Sequence, residues 1–266
     1  MTTALISNIE RGSAVDGPGM RTVVFFKGCP LSCVWCHNPE TISPYPELEW
    51  EEKRCMRCGL CFTEYPEYFS MNGKTLQMND KRTLDFSCVE KCPGKALSVN
   101  GKTMTIRELF YTIKKDRMFY ESFSGGVTFS GGEPLMQINA LVEIAEHCSK
   151  EGIHTALDTT CFASWEILKQ VIPFIKLFLC DLKLFNPEKH RKYTGVEPEL
   201  IRENIQKIDQ HGIPIWIRTP VISGINDDEE NISSCAAFAA SLKHLIRYEL
   251  LPYNPLAEIK YVKQGH

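Results

Sequence analysis

The sequence predicts an α/β fold, a partial (β/α)6 barrel of the TIM type with one segment inserted into it. Short apolar runs typical of buried strands alternate with segments of helical periodicity. Six such strand-like runs follow one another along the chain, and residues 46–100 interrupt the alternation with a segment that contains five cysteines. Strands that alternate with helices form parallel sheets, and six units suggest a barrel that stays partly open.

The predicted elements follow one another in a regular order. We expect strands over Thr22–Lys27, Val127–Phe129, His154–Asp158, Ile175–Leu182, Ile213–Arg218 and Leu245–Leu251. We expect helices over Thr105–Ser122, through Ile138–Ala145, and over Trp165–Ile172, Glu199–His211 and Glu229–Leu242. In folds of this kind the functional residues gather at the C-terminal ends of the parallel strands.

The segment 46–100 has no long periodic run. A stretch of this length without structure of its own is unusual in a compact domain, but metal ligation by its cysteines would stabilise it. We therefore divide the chain into residues 1–45, the first part of the barrel with a cysteine loop; residues 46–100, the insert; and residues 101–266, the remainder of the barrel.

Composition narrows the classes of function. The chain is 43% hydrophobic and 24% charged with a net charge of −3, so nothing in it calls for a nucleic acid or a membrane partner. The first residues lack the basic and apolar regions of a signal peptide. Twelve cysteines without such a peptide indicate a reducing compartment and metal binding. We expect a cytoplasmic monomer.

Three cysteines, Cys29, Cys33 and Cys36, stand at CxxxCxxC spacing directly after the first predicted strand. Three thiolates on one tight loop can hold three irons of a 4Fe-4S cluster and leave the fourth iron open to a small molecule. A structural zinc site is the alternative, although zinc favours four ligands in CxxC-type pairs. A disulfide is less compatible with a reducing compartment.

This loop resembles the cluster loop of the radical S-adenosylmethionine (SAM) enzymes. The resemblance implies that the open iron binds the amino and carboxylate groups of SAM, and that an electron from the cluster breaks a carbon–sulfur bond. Cys29, Cys33 and Cys36 would then be the catalytic cluster ligands. Trp35 would pack near the adenine, and His37 would offer mainly its backbone.

A second set of cysteines lies in the insert, where Cys55, Cys58 and Cys61 stand at CxxCxxC spacing and Cys92 precedes a proline. This pattern resembles bacterial ferredoxin, in which the cysteine before proline completes a distant cluster. The resemblance implies a ferredoxin-like insert with one auxiliary 4Fe-4S cluster on these four cysteines. Cys88 is an alternative fourth ligand, and a zinc knuckle is an alternative site. A second auxiliary cluster would need cysteines at positions 65, 82 and 85, which are Tyr65, Arg82 and Asp85.

The remaining cysteines, which we interpret as small buried hydrophobic residues, are Cys148, Cys161, Cys180 and Cys235.

The motif Gly131-Gly132-Glu133 follows a predicted strand. Paired glycines let a backbone approach a ligand closely, and a glutamate accepts hydrogen bonds from an ammonium group. The motif resembles the GGE motif of radical SAM enzymes, which binds the methionine amino group.

Polar residues follow three neighbouring strands and should share one mouth of the barrel. Together with the DGPG loop of residues 16–19, they resemble the glycyl radical enzyme activating enzymes. In that group two aspartates hold a monovalent cation, K⁺ or Na⁺, beside the SAM carboxylate. The resemblance assigns this role to Asp158 and Asp181. The other cofactor-binding residues that we infer are Thr159, Leu182, Lys183, Arg218 and, where some members carry histidine, Asn254.

The resemblance implies a function. The chain would cleave SAM reductively to methionine and a 5′-deoxyadenosyl radical, which would remove hydrogen from a backbone glycine of a glycyl radical enzyme. Flavodoxin or ferredoxin would supply the electron. Two alternatives stay open: a radical SAM enzyme that acts on a small molecule, and a non-catalytic iron–sulfur electron carrier. The sequence does not name the partner enzyme.

Overall fold

The computed structural model describes residues 1–72, 75–78, 86–253, 255 and 257–263. Its strands lie in one large sheet and two small ones. Those of the large sheet are β1 (Thr3–Ser13), β2 (Arg21–Phe26), β7 (Lys102–Thr105), β8 (Gly126–Gly131), β9 (His154–Thr159), β10 (Leu177–Asp181), β11 (Ile215–Val221) and β12 (Leu245–Pro252). Those of the small sheets are β3 (Glu47–Trp50), β4 (Phe69–Asn72), β5 (Thr75–Met78) and β6 (Leu97–Asn100).

The large sheet has the strand order β12-β11-β10-β9-β8-β2-β1-β7. The six strands from β12 to β2 are parallel, which confirms the six predicted units. β1 and β7 extend the sheet in antiparallel pairing and were not among the predicted strands. The fold is therefore α/β with a mostly parallel central sheet, whose strand ends position the site described below.

Helices connect the strands. The helices of the described residues are α1 (Leu60–Glu64), α2 (Ser87–Lys91), α3 (Ile106–Lys114), α4 (Arg117–Phe123), α5 (Ile138–Lys150), α6 (Trp165–Leu168), α7 (Pro187–Thr194), α8 (Glu199–Gln210), α9 (Glu229–Ala240) and α10 (Ala257–Lys263). Thr105 and Glu108 form a capping box at the start of α3, and Asp228 caps α9. No helix of the described part combines the length and the apolar character needed to cross a membrane.

The helix predicted over Thr105–Ser122 is divided into α3 and α4, so the prediction of one continuous helix is wrong. The break occurs because Asp116 turns inward between the two helices. Its carboxylate pairs with Arg11 and accepts a hydrogen bond from the Thr22 hydroxyl at 2.6 Å. This tertiary contact overrides a helical pattern that is otherwise continuous in the sequence.

The helix predicted over Trp165–Ile172 is also too long, because α6 ends at Leu168 and a separate 3-10 turn follows at Ile172–Phe174. Pro173 lies in the first turn of this 3-10 segment, where its missing N–H leaves no helical hydrogen bond unmade. The core, in contrast, follows the predicted pattern. Apolar residues of β2, β8, β9, β10 and β11 pack against α3, α5 and α8 in one cluster that excludes water.

The described residues between 47 and 100 have a hydrophobic core of their own. β3 and β6 pair antiparallel where the segment leaves and rejoins the sheet, and β4 pairs with β5. The core of this segment contains Leu48, Trp50, Tyr65 and Leu97, with α1 and α2 beside it. The segment therefore has structure of its own, although its elements are too short to give a periodic signal.

Candidate functional site

The cysteine loop lies at the C-terminal end of β2 and lines a cavity of about 430 Å³. Cys29, Cys33 and Cys36 all border this cavity, and each is partly buried. The Cys29 N–H donates to the Ile42 carbonyl at 2.9 Å, so the chain entering the loop is fastened to the chain leaving it. The three cysteines therefore line one cavity, and their role as cluster ligands stays a prediction.

Helix α7 supports the loop from the other side and was not predicted. The N–H groups of Ser32 and Val34 donate to the last carbonyls of α7, at 2.8 and 3.0 Å. The sequence did contain a signal, because Asn186-Pro187 is a typical helix start and Gly195, at φ 86°, a typical helix end. A Cβ on Gly195 would meet the Ser32 hydroxyl, so this glycine permits the contact.

Burial disfavours the thiolate form of the loop cysteines. It raises the pKa of the Cys29 thiol to about 12 and that of Cys36 to about 11, and it raises the pKa of Cys33 as well. Buried thiols of this kind stay protonated at neutral pH unless a metal takes the place of the proton. The donor set therefore suits a metal cluster, whose positive irons would compensate three thiolates.

A single zinc ion finds no comparable ligand set. Within the described residues, no three His, Cys, Asp or Glu side chains are placed to hold one metal ion. A four-iron cluster is larger than one ion, so its thiolates need not converge on a single point.

The aromatic residue of the loop borders the same cavity. Trp35 is 8% exposed and packs at a tilt against Tyr193 of α7, with ring centroids 6.3 Å apart. His37 also lines the cavity but is exposed to solvent. Both residues therefore border the cavity, and their contacts with a ligand stay predictions.

Gly131 and Gly132 line the cavity. The structure requires glycine at these positions for a reason other than the expected approach of a ligand. A Cβ on Gly131, which has φ 114°, would come within 2.4 Å of the Phe26 backbone, and one on Gly132 within 2.3 Å of the Gly28 carbonyl. These glycines are required by neighbouring backbone rather than by ligand approach alone. The Glu133 N–H donates to the Gly28 carbonyl at 2.7 Å, which joins this turn to the cysteine loop.

The side chain of Glu133 lies beneath the cavity and does not line it. It is fully buried, and burial raises the pKa of its carboxyl. Its oxygens accept hydrogen bonds from Thr159 at 2.8 Å, from Thr160, and from the Leu135 N–H at 3.1 Å. The expectation that this carboxylate contacts a ligand directly is not supported by its position. Glu133 instead orients Thr159 and Thr160, which do line the cavity.

Four charged residues form one polar wall of the cavity, at the ends of β9, β10 and β11. Arg218 pairs with Asp158 and lies 3.4 Å from Asp181, whose other oxygen is 2.6 Å from the Lys183 ammonium. The sequence-predicted Asp158, Asp181, Lys183 and Arg218 are thus brought together. With two positive and two negative groups, the wall is close to neutral when both aspartates are ionised.

The pKa values of this wall follow from burial and pairing. Burial has the largest influence on Asp158 and raises the pKa of its carboxyl in spite of Arg218. Burial acts in the same direction on Asp181, but the charges of Lys183 and Arg218 outweigh it and lower the pKa of that carboxyl. Burial would lower the pKa of both cations, but the charge of Asp181, with smaller contributions from Cys33 and Cys29, raises the pKa of Lys183, and Asp158 and Asp181 raise that of Arg218. Both cations therefore stay charged at any physiological pH.

Two further predicted residues of this site, Leu182 and Asn254, have different outcomes. The side chain of Leu182 is buried in the hydrophobic core and does not reach the cavity, so a side-chain contact with a ligand is not supported. Asn254 lies outside the described residues. Ser130, which was not predicted, lines the cavity and donates to Asp158 at 2.6 Å.

Comparison with known proteins agrees with this geometry. A sequence model of the radical SAM superfamily matches residues 56–235, more than half of the chain. The chain belongs to the radical SAM superfamily. Membership implies a 4Fe-4S cluster and SAM as cofactors. The resemblance on which the sequence analysis relied is confirmed, and the protein is a radical SAM enzyme.

Named relatives identify a smaller group within this superfamily. The isethionate sulfite-lyase activating enzyme of Oleidesulfovibrio alaskensis is 38% identical, over 98% of this chain and 86% of the relative. The trans-4-hydroxy-L-proline dehydratase activating enzyme of Clostridioides difficile is also 38% identical, over 97% of this chain and 87% of the relative. These relatives are glycyl radical enzyme activating enzymes, the group that the sequence resembled.

A solved structure supports the fold. The radical SAM methyltransferase of Sphaerobacter thermophilus superposes with a TM-score of 0.52 at 13% identity, covering 99% of this chain and 72% of that one. At this identity the likeness concerns the fold alone. It agrees with an α/β architecture whose central sheet is mostly parallel.

A second cavity, of about 370 Å³, lies in the segment 47–100 of this radical SAM enzyme. It is lined by all five cysteines of the segment, Cys55, Cys58, Cys61, Cys88 and Cys92. The Ala96 N–H donates to the Cys92 sulfur at 3.3 Å, whereas Cys88 is 2% exposed and part of the local core.

Tyr65 lines the second cavity where a further cluster would need a cysteine, and its hydroxyl is 2.6 Å from that of Ser87. Arg82 and Asp85, the other two positions compared with ferredoxin, lie outside the described residues. The four cysteines outside both motifs, Cys148, Cys161, Cys180 and Cys235, are fully buried, which confirms their interpretation as core residues.

Proposed function

We propose that this chain is the activating enzyme of a glycyl radical enzyme and generates the radical on a backbone glycine of that partner. The observation that carries the proposal is one cavity that combines three cysteines, an aromatic residue and four charged groups at neighbouring strand ends. An electron carrier needs no such charged wall beside its cluster. The names of the relatives favour a protein substrate over a small molecule.

The chemistry that a bound cluster and SAM supply is reductive cleavage of SAM to methionine and a 5′-deoxyadenosyl radical, which takes a hydrogen atom from the partner glycine. The residues of the chain hold and orient the reactants. Cys29, Cys33 and Cys36 would hold three irons. Lys183 and Arg218 would attract the SAM carboxylate, since buried cations form strong charge-assisted contacts. The cavity would keep water and oxygen from the radical.

The neutral parts of SAM would contact the rest of the cavity. Trp35 would pack its ring against the adenine, and His37 would contact SAM through its backbone. Thr159 lines the same cavity. The backbone of Gly131 and Gly132 would face the methionine amino group, with Glu133 acting from beneath through Thr159. Leu182 would contribute only as backbone, and Asn254 remains an expected contact of the adenosine.

A monovalent cation, K⁺ or Na⁺, is also part of the proposal. Asp158 and Asp181 would hold it beside the SAM carboxylate. Arg218 pairs with both aspartates, so a cation would compete with this guanidinium for the same oxygens. The competition predicts that the cation binds together with SAM, whose carboxylate gives Arg218 another anion to pair with.

We further propose that residues 46–100 are a ferredoxin-like insert in a partial barrel formed by residues 1–45 and 101–266. Cys55, Cys58, Cys61 and Cys92 would hold one auxiliary 4Fe-4S cluster. The hydrogen bond from Ala96 to the Cys92 sulfur supports Cys92 as the fourth ligand, because such bonds are typical of cluster thiolates. Cys88 is the alternative, since it borders the same cavity.

The partner would be one of the glycyl radical enzymes. The two relatives described above match this chain at the same identity, although one is named for a sulfite-lyase and the other for a dehydratase. Overall similarity therefore does not select the partner. Flavodoxin or ferredoxin would donate the electron, and the enzyme would act as a cytoplasmic monomer.

The test is anaerobic turnover with a panel of partners. The reconstituted protein is incubated with SAM and dithionite, alone and with each of several glycyl radical enzymes. We expect 5′-deoxyadenosine in every mixture and a glycyl radical signal in electron paramagnetic resonance with one partner. The matched control is that partner with its radical glycine replaced by alanine. SAM cleavage without a radical on any partner, but with a modified small molecule, would favour the small-molecule alternative.

A further inference from the structure

The C-terminal helix α10 lies against the chain that leaves the cysteine loop. Lys260 of α10 donates a hydrogen bond to the Asn38 side chain and forms an ion pair with Glu40, 3.0 Å away. Asn38 and Glu40 are two and four residues beyond Cys36. A helix more than 200 residues away in sequence therefore holds the exit of the loop.

The same exit segment is held from the opposite side by Lys27, whose side chain is 0% exposed. Its ammonium donates to the Glu40 carbonyl at 2.6 Å and pairs with Glu47 of β3 at 3.1 Å. The Gly28 N–H also donates to the Thr41 carbonyl at 2.8 Å. One side of the exit is thus fixed by the sheet and by β3, and the other side depends on α10.

Helix α10 also reaches a cluster cysteine directly. Tyr261, the residue after Lys260, lies beside Cys36. The exposed residues Ile259 and Val262 lie on the same helix. Lys260 and Tyr261 therefore face the loop, while their neighbours face solvent.

We propose that α10 is a clamp on the cluster loop, in which Lys260 is a positioning residue for the segment that carries Cys36. The proposal rests on the function proposed above, because the clamp matters to catalysis when Cys36 holds the cluster. Three thiolates anchor such a cluster, so the position of each decides how the open iron faces SAM. The clamp would make helix α10 part of the active site.

The physical cost of losing Lys260 is concentrated on Glu40. One carboxylate oxygen of Glu40 is buried and has no hydrogen-bond partner, and the other is paired with Lys260. Without Lys260, a largely buried carboxylate would lose its neutralising partner, which is strongly unfavourable. Glu40 would then turn toward water and take the exit segment with it.

The experiment compares Lys260→Met with Lys260→Arg and with Ile259→Ala as the matched control on the exposed part of α10. Hydrogen exchange of residues 36–42 and the rate of iron release to a chelator are measured on the full-length, iron-loaded protein. We expect exchange and iron release to rise roughly three- to tenfold in Lys260→Met, the range typical of local opening, with the control unchanged. Lys260→Arg should restore most of the protection because it keeps the charge. Exchange in α5 reports whether the whole fold is affected.

A double-mutant comparison isolates the pair. If Lys260 acts through Glu40, then Glu40→Gln together with Lys260→Met should open the segment no more than Lys260→Met alone. Protection in Lys260→Met equal to that of Ile259→Ala would overturn the clamp, and so would an equal rise in α5. Wild-type SAM cleavage, measured separately, tests the proposed function, so failure of one claim is distinguishable from failure of the other.

Discussion

The two cavities of this protein begin from similar sequence motifs and differ in what surrounds them. Each cavity is lined by a motif of three cysteines that lie within eight residues of sequence. The cavity at the end of β2 has a wall with two aspartates, a lysine and an arginine in mutual contact. The lining of the cavity of residues 47–100 is mostly apolar and includes Trp50, Tyr65, Leu76 and Leu97, with Arg57, Glu64 and Lys91 as its charged residues. The first is suited to bind a charged molecule, and the second is suited to enclose a cluster.

The number of cysteines that line each cavity also distinguishes the two cavities. The described lining of the first cavity offers three cysteines, which leaves one iron of a cluster open, while that of the second offers five, which is enough to close a cluster. The difference teaches that the surroundings of a cysteine motif, and not its spacing alone, separate a reactive centre from a closed one. Four experiments would break or sharpen this comparison.

The largest effect is expected from the first motif. Cys33→Ala should reduce SAM cleavage below detection, because two thiolates are too few to keep the open iron in place. Cys58→Ala, the equivalent change in the second motif, should leave measurable cleavage. The measurement is 5′-deoxyadenosine formed with dithionite under anaerobic conditions. Normal cleavage by the Cys33 variant would mean that the two cavities do not differ in the way described.

The iron content tests whether each cavity holds one cluster. We expect about eight irons and about eight sulfides per chain after anaerobic reconstitution, four of each for each cavity. Cys33→Ala and Cys58→Ala should each lose up to half of the iron. A wild-type value of about four irons would leave one cavity without a cluster, and a value of about twelve would require a third cluster.

The fourth ligand of the second cavity can be identified by spectroscopy. Cys92→Ala should lose the auxiliary signal in electron paramagnetic resonance, and Cys88→Ala should keep it, because the Cys92 sulfur already accepts a hydrogen bond typical of cluster thiolates. The signal of the first cavity serves as the internal control. The reverse result would assign Cys88, and retention in both variants would show that the two cysteines replace one another.

The smallest effect concerns the charged wall of the first cavity. Asp158→Ala and Asp181→Ala should each weaken SAM binding by about 1–3 kcal/mol, the range for charge-assisted contacts, while the clusters stay intact. Affinity of the wild type should rise with K⁺ or Na⁺ and that of the variants should respond less. Asp228→Ala, which removes an exposed helix cap, is the control. Wild-type affinity in both variants would leave these aspartates as partners of Arg218 and Lys183 alone.

The sequence predicted the parallel part of the sheet because those strands are buried on both faces and appear as short apolar runs. It missed β1 for a physical reason. The pairing of β1 with β2 shifts register between Ile6 and Asn8 and again between Arg11 and Ser13. Each irregularity breaks the alternation of buried and exposed side chains, so the period-two signal of a strand is lost.

The sequence could predict a site residue when its placement depends only on a local motif or on the end of a predicted strand. The cysteines, Trp35 and the strand-end charges belong to this class. The role of Glu133 was not predictable, because it depends on Thr159 and Thr160 from the next strand, which occupy its oxygens. The same holds for Lys260, whose partners are more than 200 residues earlier. Such contacts are properties of the folded chain and have no local pattern.

The pairing of β3 with β6 bears on how this architecture could be gained or lost in evolution. Trp50 lies opposite Leu97, so the two ends of the intervening segment are neighbours. A two-residue hairpin turn is enough to connect antiparallel strands at such a point. We therefore expect that the second cavity could be removed as a unit, while Lys27 keeps its partner Glu47 on the strand that remains. A designed deletion between Trp50 and Leu97 would show whether the large sheet folds without this segment.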